Sequence, residues 1–149
     1  MEPLNFTDQV LFVVVLYKVP ALESPSFRLL VTSFAYTPAV FIYDNSPEAC
    51  QAPDKTIYVH DPSNGGVAKA YNQAYQYARS LKKDWMMLLD QDTIIDRTFL
   101  HAMAAGVSAN SSTMLFVPKL KDSQGLVSPF RWSGTGGKRI SRVGGSLAL

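Results

Sequence analysis

The sequence predicts an α/β domain built on a mostly parallel sheet with helices on both faces. Three observations carry that expectation. Short apolar runs alternate with helix-patterned segments along most of the chain, as in α/β folds. The first run, residues 10–17, is apolar without alternation, the pattern of a strand buried on both faces of a parallel sheet. Polar and acidic residues collect directly after the runs, where open parallel sheets bind ligands.

The elements follow in order. Residues 10–17 form the first strand. Residues 24–35 read as a helix, with Ser24 as N-cap and Pro25 at the first helical position. Residues 40–43 form a second strand, ended by the turn sequence Asp44-Asn45-Ser46-Pro47. Residues 56–59 form a third. Residues 67–81 give the clearest helix, with Val67, Tyr71, Ala74, Ala78 and Leu81 on one face. Residues 85–89 form a fourth strand. A helix over about 97–107 and a strand over 113–118 complete the alternation. Residues 1–118 are therefore read as one α/β part, whose polar strand ends are what a nucleotide site would need. Residues 119–149 are read as a Gly-rich basic tail, with no helix signal and five of the nine glycines after residue 127.

Composition bounds the function. The 149 residues are 47% hydrophobic and 17% charged, which supports a core and argues against a disordered chain. No apolar run approaches the roughly 20 residues of a membrane-spanning helix. The first eight residues lack the basic region and cleavage site of a signal peptide. Cys50 is the single cysteine, so an internal disulfide is excluded and no Cys/His cluster suggests zinc. A reducing, cytoplasmic setting is expected. The net charge of +2 is uneven, because residues 118–149 hold six Lys and Arg and one acidic residue. Such an end either meets phosphates or an anionic membrane surface, or is a solvated tail. A nucleic-acid partner is not expected.

Asp90-Gln91-Asp92 is the sharpest chemical signal. It follows an apolar strand, and alternation along extended backbone would put both carboxylates on one side. Two such carboxylates make a hard-oxygen site for Mg²⁺ or Mn²⁺, completed by waters and substrate phosphates. The alternative is a surface turn, with Asp96 or a nearby aspartate capping the next helix. Asn64-Gly65-Gly66 precedes the best helix. Its glycines allow close backbone approach, and the helix start offers free N–H groups to an anion. Asn64 either contacts a nucleotide or caps the helix. Lys69 either reaches a phosphate or is a solvated helix charge. His60 and His101 lack partners at ligand spacing; His60 and Asp61 could line a pocket.

The string "WMMLLDQDT" resembles the signature of glycosyltransferase family 2, and "LLDQDT" resembles its rhamnosyltransferase-like branch. "VVVLYK" at residues 13–18, "IYDNSP" at 42–47 and "NGGVAKAYNQA" at 64–74 are similar to further family segments in the same order. The resemblance covers about residues 9–118. It implies a GT-A, Rossmann-like fold and a metal-dependent, inverting transfer of a sugar from a nucleoside-diphosphate carrier. It implies that Tyr17, Asp44, Asn64, Gly66, Lys69, Asn72, Asp90 and Gln91 line the nucleotide-sugar site, with Asp90 and Asp92 on the metal. Asp44 would accept from the base ring N–H, which fits dTDP- and UDP-linked donors; its alternative is an Asx-turn. Tyr17 would stack on the base or simply sit at the sheet edge. Tyr71 stands where the family often has a basic residue.

The same resemblance implies a saccharide or lipid-linked acceptor in polysaccharide synthesis, and work at the inner face of the membrane. It places the general base in a later half of the domain. After Asp96 the chain has only Asp122 as an acidic residue, too near Asp90-Gln91-Asp92 to match. No catalytic base is assigned, and the domain is expected to be truncated and nearly inactive as it stands. The rival expectation is a non-catalytic nucleotide-binding or assembly module that self-associates as a homo-oligomer. A Rossmann-type dehydrogenase is disfavoured, because no Gly-x-Gly-x-x-Gly follows the first strand.

Overall fold

The computed structural model describes residues 6–34, 38–110, 112–118, 120–122, 125–127, 130–132 and 138–140. It has two compact units, residues 1–104 and 105–149. The first carries a four-stranded, all-parallel sheet, so the α/β expectation holds. A short helix α1 (Phe6–Gln9) leads into β1 (Val10–Leu16), all seven residues of which are buried. A 3-10 turn at Ala21–Glu23 precedes α2 (Pro25–Ser33). Then come β2 (Val40–Asp44), β3 (Ile57–His60), α3 (Gly66–Ser80), β4 (Trp85–Asp90) and α4 (Arg97–Ala109). The strand order is β3-β2-β1-β4.

Alternation of side chains along β1 divides the core into two layers. Val10, Phe12, Val14 and Leu16 pack with Phe27 and Leu30 of α2, with Met87 and Leu89 of β4, and with Leu100 of α4. Leu11, Val13 and Val15 face Ala70, Ala74 and Ala78 of α3. Each fully buried aliphatic or aromatic side chain contributes about 1.5–3 kcal/mol relative to exposure, so β1 is the hydrophobic centre of the unit.

Two sequence expectations need correction. The buried face of α3 runs through Ala70, Ala74 and Ala78, whereas Val67 and Leu81 are exposed. A row of alanines lets the helix backbone sit close to the sheet, and that outweighs the larger apolar side chains beside it. Residues 113–118 form no strand. Met114, Leu115 and Val117 are exposed, and with no neighbouring strand pairing them among the described residues the apolar pattern alone makes no ladder. The smaller strands lie further on, as two antiparallel pairs. They are β5 (Leu120–Asp122) with β6 (Gly125–Val127), and β7 (Phe130–Trp132) with β8 (Lys138–Ile140). The glycine-rich stretches at 133–137 and 141–149, the first five residues and Ala35 lie outside the described residues. Among the described residues no helix is long and apolar enough to cross a membrane.

Candidate functional site

The carboxyl edge of the parallel sheet gathers the polar residues. The chain leaves β1 toward β2 on one side, and β4 lies on the other. The crevice between the ends of β1 and β4 is thus a topological switch point, where open α/β sheets bind ligands. Tyr17 and Asp90-Gln91-Asp92 flank it. The last register pair is Val15 with Asp90.

Past that pair the ladder is replaced by side-chain bonds. The Tyr17 N–H donates to Gln91 Oε1 at 2.8 Å. The Ser24 hydroxyl donates to the Gln91 carbonyl at 2.6 Å, and the Ser26 hydroxyl lies 3.3 Å from the same oxygen. Strand β4 stops at Asp90, and the Thr93 N–H closes a turn onto the Asp90 carbonyl at 3.1 Å. Asp90 is therefore the last residue of the strand, whereas Asp92 is set by the turn beyond it rather than by strand alternation. Both are exposed, and neither carboxylate has a hydrogen bond or ion pair among the described residues. The capping alternative belongs to Asp96, whose Oδ1 accepts the Phe99 N–H at 2.7 Å. The Asp90 charge also reaches α3: burial, then Asp90, pushes the Tyr71 hydroxyl up.

Beyond β1 the chain turns sharply. Lys18 has φ +56°, a left-handed conformation uncommon outside Gly and Asn. Its N–H donates to Ser46 Oγ at 2.7 Å, and its ammonium lies 5.0 Å from the Tyr17 ring centre. Lys18, Val19, Pro20 and residues 46–50 line a cleft of about 410 Å³. Tyr17 itself is half-exposed beside it.

Asp44 ends β2 and is wholly buried. Its Oδ1 accepts the Ser46 N–H at 2.9 Å, so the Asx-turn is realised. Its Oδ2 accepts the Tyr58 hydroxyl at 2.6 Å and the Cys50 N–H at 3.3 Å. Burial pushes the Asp44 carboxyl up, but hydrogen bonds from Ser46, Tyr58 and Cys50 more than offset it and hold it below its ordinary value. Burial, then Asp44, raises the Tyr58 hydroxyl. Asp44 thus anchors one wall of the cleft. Next to it, Asn45 Oδ1 accepts the Gly66 N–H at 3.3 Å, tying the end of β2 to the start of α3.

Asp61 follows β3 and organises the start of α3. Its Oδ2 accepts from the Tyr43 hydroxyl at 2.7 Å, Lys69 Nζ at 2.8 Å and the Gly65 N–H at 3.2 Å. Its Oδ1 accepts from the Ser63 N–H and hydroxyl. Lys69, then Ser63 and Tyr43, hold the Asp61 carboxyl well below its ordinary value. Lys69 is thereby paired rather than merely solvated. Asn64 is exposed with φ +52° and provides no cap; Gly65 occupies that position. A Cβ on Gly65 would lie 2.5 Å from both Asp61 Oδ2 and Lys69 Cδ. Gly66 has φ +80° with open space around it. Asn72 is exposed on α3, one turn beyond. His60 donates through Nε2 to the Ser46 carbonyl at 2.8 Å and so braces the same loop; His101 is exposed on α4.

The structure therefore brings Tyr17, Gln91, Asp90 and Asp92 to one crevice, and Asp44 and Gly66 to the adjoining loop network. Sequence reasoning missed Ser24's second role, Ser26, Tyr43 and Tyr58. The clustered Ser-Pro-Ser at 24–26 was the only signal for the serines, and it reads equally as a helix cap. Among the described residues no group of three or more His, Cys, Asp or Glu could hold a metal.

A family model for glycosyl transferase family 2 matches residues 43–142. No curated protein and no solved structure matches the chain. The matched stretch contains Asp44, the start of α3 and the Asp90–Asp92 turn, and leaves β1 with Tyr17 outside it.

Proposed function

We propose, from the premise that this chain belongs to glycosyl transferase family 2, that the β1–β4 crevice binds a nucleoside-diphosphate sugar through a divalent cation held by Asp90 and Asp92. The observation that carries this reading is the state of those two carboxylates. They are exposed at the switch point and unengaged among the described residues, while the other two aspartates at the sheet edge are saturated. Two carboxylates are a partial shell, and Mg²⁺ or Mn²⁺ bound by one or two carboxylates keeps waters and takes phosphate oxygens for the rest. The cation would neutralise the diphosphate as it leaves.

The chain's own groups do the positioning. The cleft beside Tyr17 receives the base and ribose, with the tyrosine ring as a stacking face. Asp44 holds the 45–50 wall of that cleft, and a base N–H would reach its carboxylate only if that wall moves. The α3 start at Asn64 and Gly66 faces the nucleotide, and Lys69 and Asn72 stand one turn in. Lys69 reaches a phosphate by exchanging Asp61 for it. The donor sugar is a deoxyhexose such as rhamnose on a thymidine diphosphate carrier, passed with inversion to a saccharide or lipid-linked acceptor.

Calorimetric titration of thymidine diphosphate and uridine diphosphate, with and without Mn²⁺, tests this reading. Binding is expected only with Mn²⁺, with the thymidine nucleotide the tighter. Equal binding without metal would contradict it.

A further inference from the structure

The two serines at the start of α2 do more than begin a helix. Ser24 is the N-cap and accepts the Phe27 N–H at 3.4 Å. Ser26 lies inside the first turn, where the helix needs no hydroxyl, yet both serines are wholly buried. Their hydroxyls lie 3.0 Å apart and converge on the Gln91 carbonyl, with Ser24 the nearer. Each carries one proton. The Ser24 proton goes to the carbonyl at 2.6 Å, so the Ser26 proton goes to Ser24 Oγ or to the same carbonyl. Buried hydroxyls must be bonded, and leaving one unsatisfied costs more than the bond contributes. The pair therefore fixes this carbonyl.

That carbonyl belongs to the residue between Asp90 and Asp92. The β1–β4 ladder has ended there, so no sheet bond holds it. The Gln91 side chain completes the hold by accepting the Tyr17 N–H. One residue thus links the end of β1, the start of α2 and the turn after β4.

We propose that Ser24 and Ser26 are positioning residues that set the conformation of the Asp90–Asp92 turn through the main chain of Gln91. Neither serine touches a ligand in this account. Their relevance to metal rests on the reading of Asp90 and Asp92 given above. Groups that orient metal ligands typically change metal affinity about 10–100-fold when removed.

The test compares wild type with S26A, S24A/S26A and S24T. Amide hydrogen exchange by NMR is read at Tyr17 and Thr93, neither of which bonds to a serine. Manganese affinity is read in the presence of thymidine diphosphate. S24A/S26A is expected to speed exchange at both amides about tenfold, leave the α3 and β2 amides unchanged, and weaken Mn²⁺ about 10–100-fold. S24T keeps cap and donor and should match wild type. S26A keeps the α2 cap and should show a smaller change of the same sign, which decides the matter if the double variant does not fold. Wild-type exchange at Tyr17 and Thr93 in the serine variants would overturn the proposal. So would faster exchange with unchanged Mn²⁺ affinity. If wild type itself binds no Mn²⁺ with the nucleotide, the metal reading falls, and the exchange rates still decide whether the serines hold the turn.

Discussion

Four aspartates stand at the carboxyl edge of one sheet, and the fold uses their oxygens in opposite ways. Asp44 and Asp61 are buried and accept hydrogen bonds on both oxygens, from backbone, hydroxyl and, for Asp61, ammonium donors. Asp90 and Asp92 are exposed and unengaged among the described residues. Position at a strand end is shared; partners are not. A saturated carboxylate holds loops together, whereas an open one has lone pairs left for a ligand. The closed pair shapes the cleft wall and the start of α3, and the open pair is where the chemistry is expected.

The strongest stability effect should come from the closed side. Asp44→Asn keeps one acceptor oxygen but sets the amide NH2 either against the Ser46 N–H or against the Cys50 N–H and the Tyr58 hydroxyl. It should lose about 3 kcal/mol at pH 7, within the range for charged, buried hydrogen bonds, as read by denaturant unfolding. The pH dependence has a definite sign. Asp44 and Asp61 both have folded values lowered from the ordinary carboxylate range. Their contribution is complete above an unfolded value of about 3.9 and is lost as pH falls through the lower folded values. The gap between wild type and Asp44→Asn should therefore narrow as the pH drops below about 4.

Next in size is Gly65→Ala. The added Cβ would meet Asp61 Oδ2 and Lys69 Cδ at 2.5 Å. Lys69 can swing away, but the carboxylate is held by its other donors, so a loss of about 2 kcal/mol is expected. Thermal melting in parallel with Gly66→Ala separates crowding from backbone strain, since Gly66 has space but a positive φ. The smallest effect on the closed side should be Tyr58→Phe, which removes the hydroxyl that donates to Asp44 and accepts the Cys50 N–H, and leaves the Ser46 and Cys50 bonds to Asp44. About 1 kcal/mol is expected, and a larger loss would mean that Tyr58 rather than the turn holds Asp44.

Much of the fold could be read in the chain. The unbroken apolar run of β1, the Ser24-Pro25 start of α2 and the long α3 period are local signals, and they form where expected. What was not legible depends on distant pairing. Tyr43 meets Asp61 because β2 and β3 run parallel with Asp44 opposite His60, a register no local pattern contains. The resemblance puts Gln91 in the nucleotide-sugar site, but its bond to Tyr17 spans 74 residues of sequence and no local pattern announces it. The alanine face of α3 was hidden because periodicity weighs large apolar side chains above small ones. Residues 113–118 carry a strand pattern whose meaning depends on a neighbour.

The comparison of open and closed carboxylates is tested most directly by one paired measurement on Asp92→Asn. Thymidine diphosphate is titrated with Mn²⁺, and the melting midpoint is recorded on the same sample. At least a roughly hundredfold loss of nucleotide affinity is expected, as for loss of one of two metal carboxylates. The midpoint should be unmoved, because an exposed, unengaged side chain contributes within about 0.5 kcal/mol. Wild-type affinity in the variant, or a midpoint lowered as far as that of Asp44→Asn, would contradict it.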